Sequence, residues 1–404
     1  MTTPLVLDAK DTLPDDGFTG TLVGRAWLPP TDTTPGGPAV VVLRADGVFD
    51  ISDVAPTMSS LLEHDDPVAT VRKATGRLIG SLESILAGAP ASTGDASGDT
   101  SAHLLAPCDL QVIKAAGVTF AGSLIERVIE EQTKGDPAGA AQIRAKIQAL
   151  VGDSLASIRP DSTEARELKA LLIAQGMWSQ YLEVGIGPDA EVFTKAPVLS
   201  ALGTGTEIGL HPKSEWNNPE PEVVLAINSR GQVLGATLGN DVNLRDFEGR
   251  SALLLGKAKD NNGSTAIGPF LRLFDESFSI DHVRQAEIGL RVEGEDGFVL
   301  VGTSSMNQIT RDPLDLVAQT IGAIHQYPDG AMLFLGTLFA PVEDRDAPGG
   351  GFTHKEGDIV RIATPSLGTL VNRVGRSDRI APWQFGARAL INNLAQRGLL
   401  GKPL

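Results

Sequence analysis

Glu215-Trp-Asn-Asn-Pro-Glu220-Pro-Glu222-Val-Val-Leu-Ala-Ile-Asn-Ser-Arg-Gly-Gln-Val-Leu-Gly-Ala-Thr-Leu-Gly-Asn240-Asp241 is the stretch on which the reading of this chain turns. Pro221 disfavours the helical region for Glu220 and pushes it to extended backbone. In an extended chain, residues two apart project to one face, so Glu220 and Glu222 point the same way. Residues 223–227 and 233–238 are β-rich runs on either side of Asn228-Ser-Arg-Gly231, and together they predict a hairpin. With the turn centred on Ser229 and Arg230, residue 220 faces residue 239. Asp241 lies just beyond and folds back beside the two glutamates. Neighbouring carboxylates repel unless something positive sits between them. Three carboxylates with no Cys or His nearby in sequence make a hard, all-oxygen site, which suits Mg²⁺ or Mn²⁺ rather than zinc. Glu-x-Glu is also common, and the competing reading is a solvated acidic strand face.

Outward from the hairpin, residues 286–292, 298–302, 331–335 and 359–362 are further candidate strands, and 314–327 reads as a helix. Residues 122–150 read as a helix pair broken at Gly135-Asp-Pro. Strands outnumber helices after residue 180 without regular βαβ alternation, which predicts an α+β fold rather than a doubly wound sheet. Near the N-terminus, Thr21-Leu-Val-Gly and Ala39-Val-Val-Val-Leu-Arg44 are short strands. Residues 57–87 look helical, with Met58, Leu61, Leu62, Val71, Ile79, Leu82 and Ile85 at loose helical spacing. The Ala/Gly/Ser/Asp tract Ala87-Gly-Ala-Pro-Ala-Ser-Thr-Gly-Asp-Ala-Ser-Gly-Asp-Thr-Ser101 has nothing to bury and reads as a flexible linker. The 404 residues exceed the roughly 250–300 at which one core stops growing, so two domains are expected. They are a small N-terminal α/β domain over 1–104, ending in the linker, and a catalytic domain over 105–404.

Composition narrows the function classes. The chain has 34 Lys+Arg against 50 Asp+Glu, a formal net charge of −16, which argues against nucleic acid as the main partner. An anionic small substrate stays open, because one local cation or metal reverses the field inside a cleft. The single cysteine, Cys108, allows no intrachain disulfide and no Cys-based zinc site. The N-terminus does not read as a signal peptide, and no run approaches ~18 apolar residues, so no membrane partner is expected and the location is read as cytoplasmic. The histidines at 64, 103, 211, 282, 325 and 354 form no His-x-x-x-His pair. Neither a Gly-x-Gly-x-x-Gly, a Walker loop nor a Gly-x-Ser-x-Gly elbow is present. Gly256-Lys-Ala-Lys259 could bring a lysine to the carboxylates as a substrate-carboxylate ligand or a base, or could be a basic surface loop.

As an ordered set, several of these stretches resemble the fumarylacetoacetate hydrolase superfamily. They are Phe193-Thr-Lys-Ala-Pro197, Glu220-Pro-Glu222, Asn240-Asp-Val-Asn-Leu-Arg-Asp246, Lys259 before Gly268-Pro269, Gly336-Thr337, and Gly357-Asp358 before Gly368-Thr-Leu-Val-Asn372. The resemblance runs from about residue 105 to 370. It implies a mixed β-roll with flanking helices, assembled as a homodimer or homotetramer. It also implies Mg²⁺ or Mn²⁺ on Glu220, Glu222 and Asp241, and an active-site lysine at Lys259, with Lys257 as the alternative. Arg245 and Thr337, within the matching motifs, are candidate substrate-binding residues. Hydrolase members carry a His followed three residues later by a Glu, on the segment matching Gly117-Val-Thr-Phe-Ala-Gly-Ser-Leu-Ile-Glu126. Here those positions are Ser123 and Glu126. A serine alone is not a general base near neutral pH, which argues against hydrolysis.

The short interval from Glu222 to Asp241 and the Gly117-Val-Thr-Phe wording are similar to the sugar-acid dehydratase branch. That branch removes water from 2-keto-3-deoxy-pentonates to give 2,5-dioxopentanoate. The implied substrate is an anionic 2-keto acid. Lys259 and Glu126 are the implied acid/base pair, with the C3 proton open between them, and Ser123 a pocket residue. Two other enzyme readings keep the metal, namely C–C hydrolysis of a diketo acid and decarboxylation of a 2-keto acid. The hydrolytic one would need a base such as His211 or His354. A non-catalytic metal-binding scaffold is the remaining alternative.

Overall fold

The computed structural model describes residues 5–88, 101–133, 145, 158–174, 178–337, 339, 341, 343–348 and 351–401. At its centre is the hairpin of Pro221–Ile227 and Val233–Asp241. All seven residues of the first strand are buried. Val223, Leu225 and Ile227 enter one hydrophobic cluster, while Val224 and Ala226 enter another on the opposite face. Both faces are covered, which is why the strand reads as an unbroken apolar run rather than an alternation.

The hairpin lies inside an 11-stranded sheet. From one edge its order is Arg77–Gly80, Gly47–Asp50, Gly37–Arg44, Leu22–Leu28, Thr265–Leu273, Val233–Asp241, Pro221–Ile227, Ala331–Phe334, Val112–Gly117 and Glu191–Ala196. His103–Leu105 pairs beside Leu22–Leu28. The strands before residue 81 therefore extend the same sheet, through Leu22–Leu28 against Thr265–Leu273. The expected boundary at 104/105 falls within His103–Leu105. Of the tract expected as a linker, 89–100 lie outside the described residues, as does the second helix of the pair expected over 122–150, apart from Ala145. The first helix of that pair is Ala121–Thr133.

A second sheet has five strands, ordered Val299–Ser305, Glu287–Glu293, Ile359–Thr364, Gly368–Arg376 and Glu207–Leu210. Its inner residues Ile288, Leu290, Val360 and Ile362 pack against Val223 and Leu225 of the hairpin. Most pairs are antiparallel, but Ala331–Phe334 with Val112–Gly117 and Gly368–Arg376 with Glu207–Leu210 run parallel. The architecture is thus a mixed α+β fold of packed sheets with flanking helices.

Two sequence expectations are corrected. The helix read over 57–87 is three short helices, Met58–Glu63, Pro67–Lys73 and Leu82–Ala87, with the edge strand Arg77–Gly80 between the last two. Gly76 and Gly80 at φ +68° and +154° hold the turns that break it. The helix read over 314–327 is Pro313–Thr320, because the chain turns at Gly322, whose N–H donates to the His325 carbonyl. Among the described residues no helix is long and apolar enough to cross a membrane.

Cys108 sits in the core and is free. Burial, with Asp109 adding to it against Arg25, pushes its thiol pKa up to about 12. A raised thiol pKa leaves almost no thiolate at pH 8. Labelling with a thiol reagent should therefore be negligible in the native protein and stay flat with pH well past 8, then become complete on unfolding in guanidinium. Rapid native labelling at pH 8 is the contrary result.

Candidate metal centre

The hairpin register brings the acids together, though not as the turn predicted. Pro221 stands opposite Asn240 and Glu222 opposite Gly239, and the Asp241 N–H donates to the Glu220 carbonyl at 3.0 Å. Asp241 is therefore directly across from Glu220, not beyond its partner. The two-residue offset has two sources. The loop holds three residues, closed by Gly231 at φ +78° and by Asn228, whose side chain accepts from the Arg230 and Gln232 N–H groups. A bulge then places Ala226 opposite Gly235 and Ile227 opposite Val233.

Carboxylate oxygens of Glu220, Glu222 and Asp241 lie within 4.8 Å of one another, and all three residues are buried. Oxygens around one octahedral Mg²⁺ are at most about 4.2 Å apart, twice the ~2.1 Å bond, so a slight closing seats one ion. The Gly336 N–H holds Glu222 by donating to its Oε2 at 2.6 Å. Only glycine serves there: φ is +89°, and a Cβ would come within 2.0 Å of Thr119 Oγ1.

Three cations meet the acids. Lys259, at the end of the helix Leu255–Lys259, donates to Glu220 and, at 3.0 Å, to Asp241 Oδ2. Lys195 is fully buried and pairs with Asp241 Oδ1 at 3.0 Å. Arg127 bridges Glu220 and Glu248, the latter at 2.8 Å. Glu191, Phe193, Val118 and Thr337 complete the walls. Among the described residues, five carboxylates (191, 220, 222, 241 and 248) face three cations (127, 195 and 259), leaving two negative charges unmatched. A divalent ion is the charge that balances them, and the all-oxygen donor set fits Mg²⁺ or Mn²⁺.

The titration directions express the same surplus. Burial, then Asp241 and Glu220, push Glu222 well above the usual carboxylate range. Burial also raises Glu191, against the pull of Arg127 and Lys259. For Asp241, burial is outweighed by Lys259 and Lys195, which hold it below its ordinary value. For Lys259, burial is outweighed by Asp241 and Glu220, so its amine stays charged far above neutral pH.

The structure therefore joins Glu220, Glu222, Asp241, Lys259 and Thr337 in one cleft. Lys257 is outside it, exposed, with Nζ 5.9 Å from the Phe247 ring centroid. Arg245 is not brought to the cleft either. Its guanidinium stacks 4.2 Å over Trp216 and donates to the Pro341 carbonyl at 3.2 Å. Ser123 and Glu126 lie on Ala121–Thr133, and their side chains are outside the described residues. Neither candidate histidine lines the cleft. His211 packs on Phe247 at 4.9 Å, and buried His354 is held by Asp358 at 3.0 Å.

Four site residues were not singled out from the sequence: Lys195, Arg127, Glu191 and Glu248. Two signals were there to find them. Glu191, Phe193 and Lys195 alternate along one strand face, and Arg127 lies one helical turn after Ser123.

Comparison with known proteins agrees with this geometry. Residues 181–375 match the fumarylacetoacetate hydrolase C-terminal family. That stretch is similar to the fumarylacetoacetate hydrolase family. The chain is 31% identical over 190 residues to the 2-dehydro-3-deoxy-D-arabinonate dehydratase of Saccharolobus solfataricus, a match spanning 47% of this chain and 60% of that one. It is 29% identical over 213 residues to a probable 2-keto-3-deoxyxylonate dehydratase of Haloferax volcanii, spanning 53% of this chain and 68% of the other. In three dimensions it shares its fold with a 2-keto-3-deoxy-D-arabinonate dehydratase solved with magnesium and 2,5-dioxopentanoate. The TM-score is 0.59 at 21% identity, over 88% of this chain and 99% of that one.

Proposed function

We propose that this chain is a Mg²⁺- or Mn²⁺-dependent dehydratase of a 2-keto-3-deoxy sugar acid, converting a 2-keto-3-deoxy-pentonate to 2,5-dioxopentanoate. The observation that carries the reading is the cleft where Glu220, Glu222, Asp241 and Lys259 meet two positive charges short of balance. The named activities of the two sequence relatives, and the ligands of the structural neighbour, support it.

A divalent ion on the three carboxylates supplies Lewis acidity at the keto oxygen and carboxylate of the substrate, which acidifies C3. Lys259, held charged by Asp241 and Glu220, sets an ammonium beside the oxygen on which negative charge develops. That assignment leaves the proton moves to carboxyl groups. Glu126, on the helix that also carries Arg127, and Glu191, in the cleft wall, are the pair we assign. One takes the C3 proton and the other protonates the departing C4 hydroxyl. Tautomerisation then places the aldehyde at C5. Ser123 and Thr337 bind substrate hydroxyls in this reading, while Arg245 positions the loop at Pro341 from behind. The enzyme would work in the cytoplasm as a homodimer or homotetramer, a size that light scattering measures directly.

Pure protein with Mg²⁺ should be incubated with a panel of 2-keto-3-deoxy acids and acylpyruvates and the products weighed by mass spectrometry. Loss of one water from a 2-keto-3-deoxy-pentonate is the expected result, and it should vanish with a chelator and return with Mg²⁺. Two carbon fragments from an acylpyruvate would mean hydrolysis, and loss of carbon dioxide would mean decarboxylation. Either, without dehydration, overturns the proposal.

A further inference from the structure

A second cavity lies apart from the metal centre and shares no lining residue with it. It has a volume of about 90 Å³ and is bounded by Leu22–Leu28, His103–Leu105, the connection 199–203 and the C-terminal Trp383 and Phe385. Arg25 and Trp27 stand two apart on one strand and so share a face. Both line the cavity, and they are only 6% and 7% exposed.

These two residues hold hydrogen-bond donors that the protein does not use. Arg25 donates through Nη1 to the carbonyls of Cys108 at 2.5 Å and Ala106 at 3.3 Å, and its Nε faces Asp109 at 3.4 Å. Among the described residues its Nη2, which is not fully enclosed, meets no acceptor. The buried indole N–H of Trp27 has none either. Asp109 pairs with the guanidinium and also accepts from the N–H groups of Met58, Ser59 and Leu110. A buried donor without a partner is costly, and a buried guanidinium edge calls for a planar anion.

The remaining wall is largely aliphatic, from Leu104, Leu105, Leu199, Ala201 and Leu202, and adds the rings of Trp383 and Phe385. Trp27 and Phe385 meet edge to face, with centroids 5.5 Å apart at 88°. The polar groups nearby are otherwise engaged: Asn262 donates to the carbonyls of Ser377 and Ala381, and Ser200 donates to that of Pro197. What the cavity offers a ligand is the Arg25 guanidinium and the Trp27 indole N–H from one strand face, with the rings of Trp27, Trp383 and Phe385 beside them.

We propose that this cavity binds a planar aromatic monocarboxylate, with its carboxylate on Arg25 Nη2 and Trp27 Nε1 and its ring against Trp27, Trp383 and Phe385. The site is independent of the dehydratase reading and its test does not use activity. Benzoate is the probe, titrated into the full chain by calorimetry, with tryptophan fluorescence followed in parallel. One-site binding is expected with Kd between about 10 µM and 1 mM, the range open to a ligand of this size. Benzamide, which keeps the ring and loses the charge, should bind at least ~tenfold more weakly. Trp27→Phe keeps the ring and removes the N–H, and should weaken benzoate about tenfold. Ala201→Phe fills the cavity and should abolish binding. Circular-dichroism melts establish that each variant is folded, and Trp27→Phe stands alone if Ala201→Phe is not. No saturable benzoate binding by the wild type up to about 10 mM would overturn the proposal, since that limit already concedes most of the available affinity. So would equal affinity for benzamide, or wild-type affinity in folded Ala201→Phe.

Discussion

Replacing Asp241 with asparagine is expected to weaken Mn²⁺ binding by at least ~10²-fold and to cut dehydration by a similar factor, because a hard dication loses one of three anionic oxygens. The side chain keeps its shape, so the backbone ladder from the Asp241 N–H to Glu220 stays. What changes is the charge facing Lys195 and Lys259, each about 3.0 Å away. Lys195 is fully buried, and removing its counter-ion leaves an uncompensated charge, which in buried pairs typically costs about 3–5 kcal/mol. The amide oxygen of asparagine still accepts a hydrogen bond, so the loss should fall at or below the low end. The variant should therefore fold, with a lower melting point. Lys259→Met is the control that separates metal from chemistry. It removes a cation from Glu220 and Asp241, so Mn²⁺ should bind as well or better while turnover collapses. Mn²⁺ affinity by electron paramagnetic resonance, beside melting curves and product yield, reads all three effects. If Asp241→Asn binds Mn²⁺ like the wild type, the metal does not sit on these carboxylates.

How the site was legible in the sequence follows from what is local and what is not. Pro221 and the two-residue period were enough to put Glu220 and Glu222 on one face, and the apolar runs around Asn228-Ser-Arg-Gly231 were enough to return Asp241 to them. The register was off by two, because one extra loop residue and one bulge cannot be counted from composition, yet the same face and end of the hairpin were still reached. The strand Leu22–Leu28 shows the opposite case. Its partner Thr265–Leu273 lies more than two hundred residues away, so nothing local announces that the first hundred residues extend the large sheet. Lys195 was passed over within its own motif because a lone lysine in a strand normally reads as solvated, and only the fold reveals that it is enclosed against Asp241. The converse holds for Arg245. Its place in a matching motif suggested contact with substrate, whereas the fold turns its guanidinium onto Trp216.

The proton-transfer assignment is the other place where a single atom should matter most. Glu126→Gln and Glu191→Gln should each lower kcat for dehydration by ~10²–10⁴-fold, the usual worth of a positioned acid or base. Mn²⁺ affinity should change little in Glu191→Gln, since among the described residues the converging carboxylates are those of Glu220, Glu222 and Asp241. Ser123→Ala should lower kcat far less, in line with about 1 kcal/mol for one neutral hydrogen bond. Had hydrolysis been the native reaction, Ser123→His would restore the base of the hydrolase pattern and raise cleavage of an acylpyruvate. Under dehydration it only crowds the pocket, and cleavage should remain absent. The two glutamates separate further by pH. Burial raises Glu191, so it carries a proton to higher pH than an ordinary carboxyl and suits the acid that meets the C4 hydroxyl. If so, the basic limb of kcat belongs to Glu191 and should flatten in Glu191→Gln but persist in Glu126→Gln. Near-wild-type kcat in Glu126→Gln would remove that residue from the mechanism. Glu191 would then remain as the sole carboxyl donor, with the C3 proton left to Lys259, which would first have to be released from Asp241 and Glu220.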